Sequence, residues 1–168
     1  GAAAAPAAPP PDAAARVNAT SKLAAAMGAN AAMRGLDPGL VQQLATAVEA
    51  DVYGSGGLPR QQYTSRMAGL ISRAKAAPSP VVLLPPTHAE THGSLLPALL
   101  QAEVSAIESL LEQHQQQAAG GNSSNPSSSP SGAPPAVAQA VARLRAMAAV
   151  AVTVGAVAAG GVGKRVNK

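Results

Sequence analysis

Aromatic side chains are almost absent from this chain of 168 residues, and that shortage limits what it can fold into. Two tyrosines are the only aromatic residues, because phenylalanine and tryptophan are missing. Alanine supplies much of the apolar fraction of 47%, and an alanine side chain buries little surface. We therefore expect one small core, built mainly from Leu, Val, Ile and Met.

Three segments of low complexity surround the region that can hold this core. Residues 1–13 are rich in Ala and Pro and are predicted to be disordered. Residues 118–135 read AAGGNSSNPSSSPSGAPP, which is typical of a flexible linker. Residues 136–168 form a basic tail rich in Ala and Val, which we expect to be separate and weakly ordered. The folded unit is therefore predicted at residues 14–117.

Within that unit the apolar residues recur at helical spacing, and no stretch alternates convincingly as a strand does. The pair Asp37 and Pro38 predicts a helix start, with the aspartate as N-cap and the proline in the first turn. The glycines of GSGG at 54–57 predict the end of that helix, and Pro59 can open the next one. Prolines after residue 77 end the third helix, and a fourth is predicted to follow Ser94.

The apolar positions of these four helices define the predicted core. They are Val17, Leu23 and Met27 in the first helix, Leu40, Val41, Leu44, Val48 and Val52 in the second, Tyr63, Met67, Leu70, Ile71 and Ala74 in the third, and Leu96, Leu99, Leu100, Val104, Ile107, Leu110 and Leu111 in the fourth. Residues 81–93 look irregular. The predicted fold class is all-α, a small bundle of three to four helices.

Residues 146–163 form an uncharged stretch that is long enough to span a membrane. The stretch contains no Leu, Ile or Phe, and these residues supply most of the favourable energy of membrane insertion. We therefore expect a weakly ordered tail. A helix that docks on another surface and a membrane-spanning helix are the alternatives.

Motifs for catalysis or cofactor binding are not found in the sequence. The absence of cysteine excludes disulfides, thiol nucleophiles and Cys-ligated zinc. His88 and His92 are four residues apart, but prolines and a glycine flank them, so we interpret them as loop histidines rather than metal ligands. The GGVGKR stretch at 160–165 lacks the spacing of a phosphate-binding loop. We therefore predict no enzymatic activity, no metal and no cofactor.

One stretch at residues 53–75, YGSGGLPRQQYTSRMAGLISRAK, holds both tyrosines and four of the twelve Lys and Arg residues. These four basic residues are Arg60, Arg66, Arg73 and Lys75. They lie largely off the apolar face of the third predicted helix. Such a set is either a basic docking face or a solvated polar face.

With the helix before it, this stretch resembles the central domain of transcription elongation factor S-II. That family has a helix ending in Glu-x-x-Ile-Tyr or similar, a second Tyr ten residues later, and the pattern Tyr-x-x-(Arg/Lys)-Val-Arg-Ser-x-Ile-x-Asn-Leu-Lys-Asp. The matching residues are Glu49, Val52, Tyr53, Tyr63, Arg66, Met67, Leu70, Ile71, Ser72 and Lys75, with Arg16, Leu23, Ala26 and Met27 further upstream. The resemblance covers roughly residues 15–80. It departs from the family at Ala68, Ala74 and Ala76, where Arg, Leu and Asp are usual.

The resemblance implies a nuclear module that docks on RNA polymerase II. Arg60, Arg66, Arg73 and Lys75 would contact the polymerase, with a weak contact to nucleic acid through the same residues. The transcript-cleavage activity of the family belongs to a separate zinc ribbon, which needs cysteines that this chain lacks. The implied function is therefore non-enzymatic.

The resemblance also implies structural roles for Tyr53, Tyr63, Glu49 and Ile71, which would pack the second helix against the third. We expect both tyrosines to be largely buried, with their hydroxyls reaching polar groups at the rim. Two other functions stay open from the sequence. The Ala-rich helices could belong to an accessory subunit of a larger assembly, or residues 146–163 could associate with a membrane.

Overall fold

A computed structural model describes residues 9–54, 57–85, 95–120 and 135–162, and describes side chains up to residue 149. These residues form an all-α bundle without strands, which confirms the predicted fold class. The α-helices are α1 (Ala13–Ala29), α2 (Pro38–Gly54), α3 (Arg60–Ala76), α4 (Leu95–Ala119) and α5 (Pro135–Val162). Short 3-10 helices lie at Ala31–Met33 and Pro80–Leu83.

The ends of α2 and the start of α3 follow the capping signals of the sequence. The Asp37 Oδ1 accepts hydrogen bonds from the backbone amides of Gly39 at 2.9 Å and Leu40 at 3.2 Å. These bonds satisfy amides that have no partner within the helix. The helix ends at Gly54, and α3 begins one residue after Pro59. The predicted boundaries are therefore confirmed to within a residue.

One core joins α1, α2, α3, α4 and the second 3-10 helix. Its largest fully buried apolar side chains are Leu23, Met27, Met33, Leu44, Val81 and Leu99. Each Leu or Met buried in this way contributes about 2 kcal/mol to folding. Since the core contains a single fully enclosed aromatic ring, that of Tyr63, its stability depends on these aliphatic contacts.

Three residues of the predicted core are exposed. Val17 is 68% exposed, and it lies about a third of a turn away from Leu23, which is buried in α1. Val104 and Leu111 are 41% and 46% exposed, because α4 buries its Leu95, Leu99 and Glu103 positions instead. The apolar stripe of α4 is therefore wider than the face that the bundle covers.

Residues 9–13 belong to the folded unit, which corrects the prediction that residues 1–13 are disordered. The Asp12 side chain accepts a hydrogen bond from the backbone amide three residues on, at 2.7 Å, and so caps α1. The Pro9 carbonyl accepts a hydrogen bond from the Arg60 amide at 3.2 Å. The chain before α1 is thereby attached to the first residue of α3.

The helix α5 packs on the bundle, so the prediction of a separate tail at 136–168 is wrong for the first part of that segment. It contacts α4 and the second 3-10 helix. Among its described side chains, those of Ala140, Arg143 and Ala146 are buried, and they recur every three positions on one face. The docking face consists of small side chains and one arginine, so it lacks the bulky apolar stripe by which a docking helix is recognised in a sequence. Among the described helices, none is both long and apolar enough to cross a membrane.

The stretch 81–93, predicted to be irregular, begins inside the 3-10 helix Pro80–Leu83. The Ser79 Oγ caps this helix by accepting a hydrogen bond from the Val81 amide at 3.2 Å. Val81 and Leu83 are buried, so this short helix is part of the core. A single turn of this kind has no long periodic pattern in the sequence and is therefore hard to predict.

Several predictions concern residues outside the described ranges. They are the disorder of residues 1–8, the loop histidines His88 and His92, and the segment after residue 162. The linker predicted at 118–135 is described at its ends, where α4 continues to Ala119 and α5 begins at Pro135. Both ends of that predicted linker are therefore helical.

Candidate functional site

The four basic residues of α3 are all exposed. Arg60, Arg66, Arg73 and Lys75 lie outside the buried face of the helix, which contains Tyr63, Met67 and Ala74. Neither α1 nor α3 contains an acidic residue, and together they carry six of the twelve Lys and Arg side chains. The charged side chains that these two helices contribute are therefore all cations.

The basic residues of α3 occupy two flanks of the helix rather than one row. At 3.6 residues a turn, Arg66 and Arg73 lie within about 20° of each other, whereas Arg60 lies about a third of a turn away. Arg66 borders a shallow depression with three polar neighbours on α3. Arg60 instead lines a groove between α3 and α1. Arg60 therefore lies on a different flank of α3 from Arg66 and Arg73.

The groove between α1 and α3 has a volume of about 260 Å³. Two of its lining residues, Tyr63 and Met67, are buried, and Ile71 is partly buried. Lys22 from α1 and Arg60 from α3 are exposed at its edges. Its other lining residues are small and uncharged, namely Ala15, Asn18, Ala19, Thr64 and Ala68.

A buried ionic network lies behind the groove. Glu49 of α2 is 3% exposed and accepts hydrogen bonds from Arg16 Nε at 2.7 Å and from an Arg16 terminal nitrogen at 2.8 Å. The two bonds go to different carboxylate oxygens, so the pair is bidentate. The Tyr63 hydroxyl donates a third bond to Glu49 Oε1 at 2.9 Å. These three side chains tie α1, α2 and α3 together.

The two tyrosines have different environments. Tyr63 is buried, as the sequence predicts, and its hydroxyl bonds to Glu49. Tyr53 is only partly buried, so the expectation of a largely buried ring is correct there only in part. Its ring lies against Arg16, whose guanidinium carbon is 3.6 Å from the ring centroid. This cation–π contact holds the guanidinium in position for Glu49.

The network suits a structural role better than a chemical one. Burial raises the pKa of the Tyr63 phenol, and the hydrogen bond to Glu49 and the charge of Glu49 raise it further. The phenol therefore stays protonated at neutral pH and donates to Glu49. The hydrogen bonding of Arg16 to Glu49 raises the pKa of the Arg16 guanidinium. Among the described residues, no group of three or more His, Cys, Asp and Glu side chains could hold a metal ion.

A second buried ion pair joins α4 to α5. A terminal nitrogen of Arg143 donates to Glu103 Oε1 at 2.7 Å, and the other donates to the carbonyl of Ala32. The Glu103 side chain is 1% exposed, and its Oε2 has no hydrogen-bond partner among the described residues. Burial raises the pKa of the Glu103 carboxyl, while Arg143 and the Ser79 hydroxyl act in the opposite direction.

A cleft of about 540 Å³ lies beside this second pair, between α4, α5 and the turn after α1. Glu103 and Arg143 form part of its wall. Its other polar lining residues are neutral, namely Ser105, Ser109, Gln113 and Gln139. The Arg143 guanidinium is engaged by Glu103 Oε1 and by the Ala32 carbonyl, whereas Glu103 Oε2 has no hydrogen-bond partner among the described residues.

Sequence reasoning missed Asn30, which closes the far end of the α1–α3 contact. Its amide nitrogen donates to the carbonyls of Ala74 at 2.7 Å and Ala77 at 2.8 Å, at the end of α3. Its side-chain oxygen accepts from the Ala32 amide at 2.8 Å. An asparagine just after a helix signals a local cap, but the sequence gives no indication of a bond to residues more than forty positions away.

Glu103 and Arg143 were also missed, although the sequence contains a signal for each. Glu103 follows Leu95 and Leu99 at intervals of four, so it lies on the buried face of α4. Arg143 lies three positions from both Ala140 and Ala146 in a face of small residues. An ionisable residue on a face of this kind needs a partner of opposite charge.

No protein family, curated protein or solved structure matches this chain in comparisons of sequence and structure. The resemblance of residues 15–80 to the elongation-factor family therefore stays a prediction from the sequence.

Proposed function

We propose that this bundle is a non-enzymatic docking module that binds RNA polymerase II through α3. The observation that supports it is the charge of α1 and α3, which together carry six basic residues and no acidic one. Arg16 is engaged by Glu49, whereas Arg60, Arg66, Arg73 and Lys75 are exposed. The proposed partner implies a nuclear location, and the same cations give a weak secondary contact with nucleic acid.

The expected binding is modest and sensitive to salt. Exposed charges of one sign steer the encounter with an acidic surface and fix its orientation. Each exposed ion pair contributes about 1 kcal/mol or less, so the basic residues of α3 cannot give tight binding alone. Apolar contacts or further domains must add to the affinity.

Charge reversal on one flank of α3 tests the proposal. The variant Arg66→Glu with Arg73→Glu is expected to lose co-purification with RNA polymerase II from nuclear extract while its helix content stays unchanged. A matched control is Arg34→Glu with Arg145→Glu, which makes the same change in net charge at exposed positions outside α1 and α3. The control is expected to bind like the parent. Equal recovery of polymerase by the α3 variant would show that this flank is only a solvated surface.

A second candidate function is that of a helical subunit that packs into a larger assembly. It is favoured by the exposed stripe on α4, where Val104 and Leu111 are exposed and Leu100 and Ile107 are partly buried. These four residues are spaced at four, three and four, as in a coiled-coil seam. Light scattering of the parent and of Val104→Glu with Leu111→Glu tests this role. We expect the parent to form oligomers and the variant to be monomeric.

A further inference from the structure

The groove between α1 and α3 combines an apolar floor with cationic edges. Tyr63 and Met67 form the floor, and Lys22 and Arg60 extend from opposite helices at the edges. Since small residues line the rest of the groove, its floor is open to a side chain from outside. None of the described residues that line it is acidic.

The size of the groove indicates what kind of ligand it suits. Its volume of about 260 Å³ is below the range of about 300–1,000 Å³ that is usual for small-molecule sites. It is also bounded by two helices over a length of several turns, from Ala15 to Lys22 on α1 and from Arg60 to Ile71 on α3. A shallow, elongated groove of this kind fits one or two apolar side chains of a helix that lies along it.

We propose that this groove binds an acidic amphipathic helix of a partner protein. The apolar side chains of that helix lie over Met67 and Ala68, and its carboxylates pair with Lys22 and Arg60. Charge complementarity identifies this occupant, because both edges of the groove are cationic and the helices that form it contain no acidic residue. A basic or neutral helix would lose these pairs.

This inference goes beyond the polymerase proposal and does not depend on it. The groove uses the flank of α3 that carries Arg60, whereas charge reversal at Arg66 and Arg73 tests the other flank. A variant that loses binding in the groove but keeps polymerase binding, or the reverse, would therefore show that the two interactions are separate. A second copy of this chain is the competing occupant, since the exposed stripe of α4 is bordered by the acidic residues Glu108 and Glu112.

The substitution Ala68→Arg separates filling of the groove from loss of charge. Ala68 is exposed on α3 and lines the groove, so a long side chain there fills the space without removing any core contact. It also adds a positive charge, which should strengthen any purely electrostatic attraction. The matched control is Gly69→Arg, which adds the same charge next to the groove. A Cβ at Gly69 meets nothing within 4 Å, so the control is not strained.

The probe is a fluorescein-labelled synthetic peptide with Leu at helical spacing and Glu on both sides, and its binding to the full chain is measured by fluorescence anisotropy. Saturable binding that weakens as salt rises is expected. We expect Ala68→Arg to weaken it about tenfold or more, and Lys22→Glu with Arg60→Glu to do the same, while Gly69→Arg stays within about twofold of the parent.

Three results would overturn the proposal. The first is absence of binding, or equal binding of a peptide in which Lys replaces Glu. The second is parent-like affinity of Ala68→Arg, which would show that the groove is not where the peptide lies. The third is a dimer by light scattering that Ala68→Arg dissociates, which would make a second copy of the chain the occupant.

Discussion

The two buried ion pairs of the bundle differ in how completely their charges are satisfied. Both Glu49 oxygens accept hydrogen bonds from Arg16, and one of them also accepts from the Tyr63 hydroxyl. In the other pair, one Glu103 oxygen accepts from Arg143 and the second has no partner among the described residues. Removing a charge from water is costly unless good geometry and further hydrogen bonds compensate. The first pair meets that condition, and the second meets it only in part.

The cations of the two pairs also differ in their contact with water. The Arg16 side chain is 32% exposed, whereas that of Arg143 is 10% exposed. Arg16 therefore keeps part of its hydration and gains the face of Tyr53. Arg143 gives up most of its hydration. We infer that the Arg16 pair stabilises the α1–α3 core, while the Arg143 pair mainly fixes where α5 lies on α4.

The largest effect on stability is expected from Tyr63→Ala, which removes the buried ring and the hydroxyl that bonds to Glu49. The ring is buried, so its loss should lower the free energy of unfolding by about 4 kcal/mol. The free energy of unfolding of a domain is only about 5–15 kcal/mol, so this loss is a large share of it. Urea denaturation followed by circular dichroism measures it. Tyr53→Ala is the control and should cost less, because that ring is only partly buried. An unchanged midpoint for Tyr63→Ala would mean that the ring does not support the core.

Arg143→Met should have the next largest effect, and it should be local. The substitution leaves the Glu103 carboxylate buried without its cation, at a cost of about 3 kcal/mol. Because the pair joins α5 to α4, hydrogen exchange should become faster in α5 while α1, α2 and α3 stay protected.

The double variant Glu103→Leu with Arg143→Met separates the pair from the packing around it. Replacing a buried ion pair by apolar residues is often neutral or stabilising, so the double variant should recover most of the lost protection. A double variant as poorly protected as Arg143→Met alone would contradict the view that the uncompensated carboxylate causes the loss.

Tyr63→Phe should have a smaller effect, about 1 kcal/mol, because it removes one hydrogen bond and keeps the ring. Glu49 Oε1 stays bonded to Arg16 after the change, so no buried acceptor is left without a partner. Thermal unfolding of Tyr63→Phe and of Tyr63→Ala is compared. The comparison separates the stability that comes from packing of the ring from the stability that comes from the hydroxyl hydrogen bond. A loss as large as that of Tyr63→Ala would mean that the hydroxyl, rather than the ring, holds the helices.

Local signals were enough to predict the helical part of the fold. The Asp37 cap and the helix end at Gly54 depend on neighbours in the sequence, and the structure contains both where they were expected. The apolar spacing also identified most of the buried positions, with Val17, Val104 and Leu111 as exceptions. The docking of α5 was not predicted. Its contact depends on small side chains and on a pair formed by Arg143 and Glu103, which are forty positions apart.

The candidate surface was predictable in composition but not in arrangement. The sequence identified Arg60, Arg66, Arg73 and Lys75 as basic residues off the apolar face, and all four are exposed. It could not indicate that α1 packs beside Arg60, because the contact between helices is set by tertiary packing. The groove and its cation Lys22 therefore became visible only in the structure.

The smallest expected effect is a pH dependence of the free energy of unfolding, which comes from the pair formed by Glu103 and Arg143. Burial raises the pKa of Glu103 above the ordinary glutamate value of 4.5, against the opposing effects of Arg143 and Ser79. Between 4.5 and the raised value, the folded protein holds a proton that the unfolded chain has released. The contribution of Glu103 to stability is therefore fully present below pH 4.5 and is lost as the pH rises through the raised value.

Comparing the parent with Glu103→Gln isolates this contribution, because glutamine has a similar shape and does not titrate. We expect the free energy of unfolding of the parent to fall relative to that of Glu103→Gln as the pH rises above 4.5. The fall should be larger in the Arg143→Met background, since the nearby cation that favours the charged carboxylate is then missing. Urea denaturation at a series of pH values measures both differences. A difference between parent and Glu103→Gln that stays constant with pH would mean that Glu103 is as well satisfied in the folded protein as in water, and the contrast between the two ion pairs would then disappear.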